Sequence, residues 1–302
     1  MTENLVDAAP RNLGMSDITV GPLAFGCWRL VNMDVTAARA NVETALAAGM
    51  NLIDNADVYG LNWGGSGFGE AEELLGKVLA DAPHLREQMV LATKGGINPP
   101  TPYDSSVDYL IQACDDSLRR LNVDVIDLYQ IHRPDMFSHP GQVAEALSVL
   151  RARGKIREAG VSNYTAMQYD ALARHMDFAL ATTQPEFSAA NLAPMRDGTF
   201  DLAMRDGVTP LAWSPLGGGS LATGQGLRPE LVKVLDDLAA REGVDRAAIA
   251  IAFVLAHPSG PIAILGTQNL ERLQTAPRAT SVYLNRDDAY AIVQASEGVP
   301  LP

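Results

Sequence analysis

The sequence is poor in cysteine. Its 302 residues include two, Cys27 and Cys114, far apart and without the spacing of metal ligands, so no metal site is expected. A reduced, cytoplasmic chain is the simplest expectation. Positive charge is also scarce. There are 23 Lys and Arg against 36 Asp and Glu, a net charge of −13 with a pI near 4.7. That balance argues against non-specific nucleic-acid binding. Any anionic ligand must be held by local positive groups against the global field. No apolar run reaches the roughly 18 residues that suggest a membrane span. The first residues, MTENLVDAAPRNLG, lack the basic and apolar regions of a signal peptide. Linkers and low-complexity segments are also missing, so 1–302 reads as one domain.

Hydrophobic residues make up 47% of the chain, enough for a large core. Eight short apolar runs read as strands: LAFG (23–26), NLID (51–54), MVLATK (89–94), VIDLYQIH (125–132), EAGVSN (158–163), LATTQPEF (180–187), TPLAWSP (209–215) and AILG (263–266). Amphipathic runs at 34–49, 69–81, 106–121, 140–155 and 246–257 read as helices between them. Asp34 is placed to cap the first and Gly49 to end it. Alternation at a spacing of roughly 30 residues predicts a parallel sheet closed into a (β/α)8 TIM barrel. A doubly wound open sheet competes, but it usually carries a glycine fingerprint after its first strand. The dense glycine run here, LGGGS (216–220), comes late and has another form. A strand pair within 11–21 is expected to plug the barrel bottom. Helical patterns at 228–242 and after 286 fall outside the repeat.

In such a barrel the chemistry belongs at the C-terminal strand ends. Asp54 ends the second strand and Tyr59 follows it. Lys94 ends the third strand and His132 the fourth. Singly, each has a plain explanation as a loop cap or a core residue. Together they describe one site. A tyrosine with an ordinary pKa of about 10 is a poor acid, and a neighbouring ammonium lowers that value. Lys94 supplies the charge, Asp54 keeps it oriented, and His132 donates to a carbonyl oxygen. Such a site protonates an oxyanion as it forms. It lacks an electron source, which a nicotinamide cofactor would supply. Asp57 is expected to be a loop residue.

At these residues the sequence resembles the aldo-keto reductase superfamily. The segments that carry the resemblance run through nearly the whole chain: LAFGCW, NLIDNADVYG, GEAEELLGKVL, LATKGG, SLRRLNVDVIDLYQIHRPD, GKIREAGVSNY, TTQPEFS, LAWSPLGGGSL and ILGTQNLERL. They look most like the bacterial oxidoreductases near the potassium-channel β-subunit branch. The resemblance implies reduction of an aldehyde or ketone by NADPH, with NADH possible. Tyr59 would be the general acid, Lys94 and Asp54 would tune it, and His132 would orient the carbonyl. Ser162, Asn163 and Gln184 would hold the nicotinamide carboxamide. Trp213 would stack on its ring, in a position where the family often has tyrosine. Ser214, Leu216 and Gly218 belong to the loop that would wrap the pyrophosphate. Gly266, Thr267 and Arg272 match the 2′-phosphate positions, although Gly266 stands where a lysine is common.

Trp28 and Trp63, with Arg29 and Phe68 nearby, are expected to flank the substrate. The glycine-rich loop 60–69 is either a moving cover over the substrate or a flexible surface loop. His84, His139, His175 and His257 read as structural. The expected partner is a small carbonyl compound, with neither nucleic acid nor membrane involved. The relatives imply a monomer, with a small homo-oligomer possible. Two other readings stay open. One is an NAD(P)-linked sugar or polyol dehydrogenase using the same site in reverse. The other is a cofactor-binding redox sensor subunit.

Overall fold

In the computed structural model, which describes residues 3–61 and 64–302, eight parallel strands close into a barrel. A short antiparallel pair, β1 (Arg11–Asn12) and β2 (Thr19–Val20), precedes it. The barrel strands follow in chain order: β3 (Leu23–Gly26), β4 (Leu52–Asp54), β5 (Val90–Gly95), β6 (Ile126–Ile131), β7 (Ile156–Ser162), β8 (Thr182–Gln184), β9 (Thr209–Ala212) and β10 (Ile262–Leu265). β10 pairs with β3 and completes the ring.

The helices are α1 (Val35–Ala47), α2 (Glu70–Asp81), α3 (Val107–Leu121), α4 (Pro140–Ala152), α5 (Ala166–Ala173), α6 (Thr199–Asp206), α7 (Ser220–Thr223), α8 (Pro229–Glu242), α9 (Arg246–Leu255), α10 (Leu270–Thr275) and α11 (Arg286–Glu297). Asp34 caps α1 by accepting from the Ala37 N–H at 2.8 Å, and Gly49 turns the chain away in the left-handed region. The regular part of the strands is shorter than expected at 180–187 and 209–215. Pro185 lies just beyond β8, where a missing N–H ends a ladder.

Alternation along each strand sorts the core. Ala24, Leu52, Val90, Leu128, Leu211 and Ile262 form one buried cluster with Leu13, Ile18 and Val20. The hairpin therefore plugs the barrel as expected. Phe25, Ile53, Leu91, Tyr129, Ile131 and Val161 belong to the larger cluster shared with the helices. Leu52 thus faces inward, Ile53 outward, and Asp54 inward again, one layer above the apolar plug.

Candidate active site

Above that plug the interior becomes polar. Asp54, Lys94, Gln130, Thr182 and Gln184 are all buried. A buried ammonium must have partners, and Lys94 has three. Its Nζ lies 2.8 Å from Asp54 Oδ2, 2.8 Å from the Asn55 carbonyl oxygen and 3.2 Å from the Tyr59 oxygen. An ammonium has three donors and no acceptor, so the Tyr59 oxygen must accept from it. The phenolic proton is then left to point elsewhere. Asp54 Oδ1 accepts from Gln184 Nε2 at 3.0 Å, and Gln130 Nε2 lies at 3.5 Å. The carboxylate is therefore held on both oxygens.

His132 follows β6 directly, and its backbone N–H donates to the Gly95 carbonyl at 2.9 Å. Its ring stands edge-on to Tyr59, with centroids 5.8 Å apart. Among the described residues its Nδ1 is buried without a partner. Burial, then the charges of Lys94 and Arg133, push His132 well below its usual range, so the ring is neutral. Burial opposes the charge on Lys94, but Asp54 and the Tyr59 oxygen outweigh it and the net direction is up.

One expectation is corrected here. Lys94 does pull the Tyr59 pKa down, yet burial of the phenol is the larger effect and the net direction is up. Tyr59 is therefore a protonated phenol at neutral pH. Asp57 lies in the loop, as expected; its carboxyl is buried, and neither oxygen has a side-chain hydrogen bond among the described residues. Burial and nearby Glu72 push its pKa well up, against Arg120. The end of the loop at 60–69 lies against Arg120 of α3. Gly69, with φ of +90°, leaves no room for a Cβ: one would stand 2.5 Å from Arg120 Cδ. Arg120 also lies 5.7 Å over the Phe68 ring and pairs with buried Glu72 at 2.7 Å.

At the ends of β7 and β8 the polar groups form a second network. Asn163 has φ of +59°, which asparagine tolerates better than most residues. Its Nδ2 donates to the His132 carbonyl at 3.2 Å and to Ser162 Oγ at 2.8 Å, while its Oδ1 accepts from Trp213 Nε1 at 3.1 Å. A carbonyl only accepts and an indole N–H only donates, so the amide orientation is fixed. Ser162 Oγ donates to the Gln184 carbonyl at 3.0 Å. Trp213 is half-buried on top of the apolar plug. Next to it, Ser214 has φ of +54° and its Oγ accepts from the Gly218 N–H at 3.3 Å. Leu216 and Gly217–Gly219 continue that turn, and a Cβ at Gly218 or Gly219 would meet nothing within 4 Å.

After β10 the chain passes Gly266 and Thr267 into α10. Thr267 Oγ1 accepts from the Asn269 N–H at 3.3 Å, and Asn269 caps Arg272 N–H at 3.0 Å. The Arg272 guanidinium has no hydrogen bond or ion pair among the described residues. An uncommitted cation, open glycine backbone at Gly218 and Gly219, an indole and an oriented amide at the ends of these strands are groups that suit a ligand with an aromatic ring, a carboxamide and phosphates. On the substrate side, Trp28 is half-buried, with Arg29 5.5 Å from its ring. Trp63 lies outside the described residues. Gln130 and Thr182 are site residues the sequence reading missed. Gln130 sits two positions before His132 on β6, so the same alternation that finds His132 points to it.

Residues 22–297 match the family model for the aldo/keto reductase family, and the chain belongs to that family. It is 49% identical, over 100% of both chains, to a 6-dehydroglucose reductase of Novosphingobium aromaticivorans. It is 25% identical, over 92% of this chain and 95% of the other, to a probable voltage-gated potassium channel subunit beta of Oryza sativa subsp. japonica. Among solved structures it resembles the aldo-keto reductase AKR11C1 from Bacillus halodurans in its holo form, with a TM-score of 0.81, 25% identity and 98% of both chains covered. The expected family, its kinship to the channel subunits and the closed eight-stranded barrel are all confirmed.

Proposed function

We propose that the protein reduces a sugar aldehyde of the 6-dehydroglucose type with NADPH. The observation that carries this reading is the Asp54–Lys94–Tyr59 chain, with its phenolic proton left free. The substrate class comes from the relative that is 49% identical over its full length. The cofactor would be held by Ser162, Asn163, Gln184 and Trp213 at the nicotinamide. Ser214, Leu216 and Gly218 would line its pyrophosphate, and Gly266, Thr267 and Arg272 its 2′-phosphate. When bound, the cofactor supplies the hydride that adds to the carbonyl carbon.

The chain's own residues do the rest. The neutral His132 ring donates a hydrogen bond to the carbonyl oxygen and holds it toward Tyr59. As the C–O π electrons move onto oxygen, Tyr59 gives up its proton there. The phenolate left behind is stabilised by the Lys94 ammonium, already within hydrogen-bond distance. Asp54, anchored by Gln184, keeps the ammonium in place. Solvent then returns a proton to Tyr59. Half-buried Trp28 would form part of the substrate wall.

The test is turnover of 6-dehydroglucose in the presence of NADPH and, separately, NADH, with glucose identified as the product. Conversion to glucose with NADPH preferred is the expected result. Reduction of other aldehydes but not of this sugar would overturn the substrate class. NADH turnover alone would overturn the 2′-phosphate site.

A further inference from the structure

Glu70, the first residue of α2, joins two separate loops at the open end of the barrel. Its Oε1 accepts from the Asn32 backbone N–H at 2.7 Å. Its Oε2 accepts from the Ser66 backbone N–H and, at 3.0 Å, from Ser66 Oγ. Asn32 belongs to the β3–α1 connection, which carries Trp28 and Arg29. Ser66 belongs to the β4–α2 connection, which carries Tyr59. All three donors lie outside α2, so the carboxylate is not capping its own helix. Burial works against its charge, but the Asn32 and Ser66 donors outweigh that and hold the carboxyl below its ordinary range.

The β4–α2 connection is packed back on Tyr59. A Cβ at Gly65 would stand 2.5 Å from Gly60 Cα and 2.6 Å from Glu70 Oε2. The Ala71 N–H donates to the Tyr59 carbonyl at 3.3 Å. Glu70 therefore reaches the Trp28 loop from a segment that also touches Tyr59 and Gly60. A carboxylate has two acceptor oxygens and serves both loops. A carboxamide has one and would serve only one of them.

We propose that Glu70 is a positioning residue that fixes the Trp28 loop against the Tyr59 loop and so sets the opening through which a carbonyl substrate reaches Tyr59. The proposal rests on the reductase reading, and the test separates the two. Glu70→Gln is compared with the parent for KM and kcat toward the carbonyl substrate, for NADPH Kd, and for hydrogen exchange at the Asn32 and Ser66 amides. Faster exchange at one of these amides is expected, together with a KM raised about tenfold, equivalent to about 1.4 kcal/mol. NADPH Kd and kcat should stay near the parent values. Accelerated exchange with an unchanged KM would overturn the proposal, as would a loss shared equally by NADPH affinity and kcat. If the parent reduces no carbonyl, the reductase reading fails, and unchanged amide exchange in Glu70→Gln would then overturn the clamp by itself. Should Glu70→Gln not fold, Ser66→Ala removes one donor and should raise KM less, in the same direction. Folded Ser66→Ala with the parent KM would overturn the proposal.

Discussion

The proton that Tyr59 would transfer is defined by what its oxygen cannot do. Lys94 uses all three donors, so the phenol oxygen is an acceptor toward it and a donor elsewhere. The neighbouring His132 must then be neutral to offer a single hydrogen bond, and burial with two nearby cations keeps it so. This gives a pH prediction with a definite sign. The folded ring keeps its single N–H and takes up no second proton near the ordinary histidine pKa of about 6.5. The reduction rate with saturating NADPH is therefore expected to show no fall on the acid side near that value. A His132-dependent loss of rate there would contradict the neutral ring. In the unfolded chain the same ring takes up a proton below about 6.5. Its contribution to stability is therefore present above that pH and lost as the pH falls below it. Asp54, Lys94 and His132 were legible in the sequence as residues that end apolar strands, and Tyr59 as the phenol in the loop that follows one of them. The direction of the Tyr59 pKa was not. It depends on how deeply the phenol is buried, and the sequence does not carry that depth. Asp57 was legible as a loop residue; its burial was not, since an acidic residue in a loop gives no sign that the loop folds inward.

At the scale of elements, α2 and α3 are packed closely enough to fix the loop that carries Tyr59. Gly76 lies in α2, and a Cβ there would run into the Arg120 carbonyl oxygen, a backbone atom with little room to shift. Gly76→Ala is expected to destabilise the fold by about 1–3 kcal/mol, the usual range for overpacking. A urea midpoint measured by circular dichroism would check this, and an unchanged midpoint would refute the close contact. The long helices were legible from their apolar periodicity and caps. The eight-residue α5 and α6 were not, because two turns contain too few apolar positions to show a period. For α5 another signal was present. Thr165 and Gln168 stand at the spacing of a capping box, and in the structure the Thr165 side chain and the Gln168 backbone are 3.2 Å apart.

At the scale of the whole molecule, a chain with a net charge of −13 would bind a polyanionic cofactor. Such binding needs a local cation that is not already paired. Arg272 has no ion-pair partner among the described residues, whereas Arg241 and Arg246 are each paired with an aspartate. Arg272→Ala is therefore expected to weaken NADPH binding about tenfold to a hundredfold, the range for losing one hydrogen bond to a charged group. NADH binding should be little changed, and titration of each cofactor by fluorescence quenching would show it. Equal weakening of both would place the 2′-phosphate elsewhere. The barrel as a whole was legible because eight apolar strands recur along the chain with helical patterns between most of them. The substrate was not, since Trp28 and its neighbours describe a wall without saying what it encloses. The proposed reduction depends on the proton of Tyr59. The measurement that tests it most directly is reduction of 6-dehydroglucose by Tyr59→Phe beside the parent, with NADPH Kd measured for both. Turnover is expected to fall by about 10²–10⁴-fold with NADPH affinity unchanged. Parent-like turnover in Tyr59→Phe would show that the proton comes from another group.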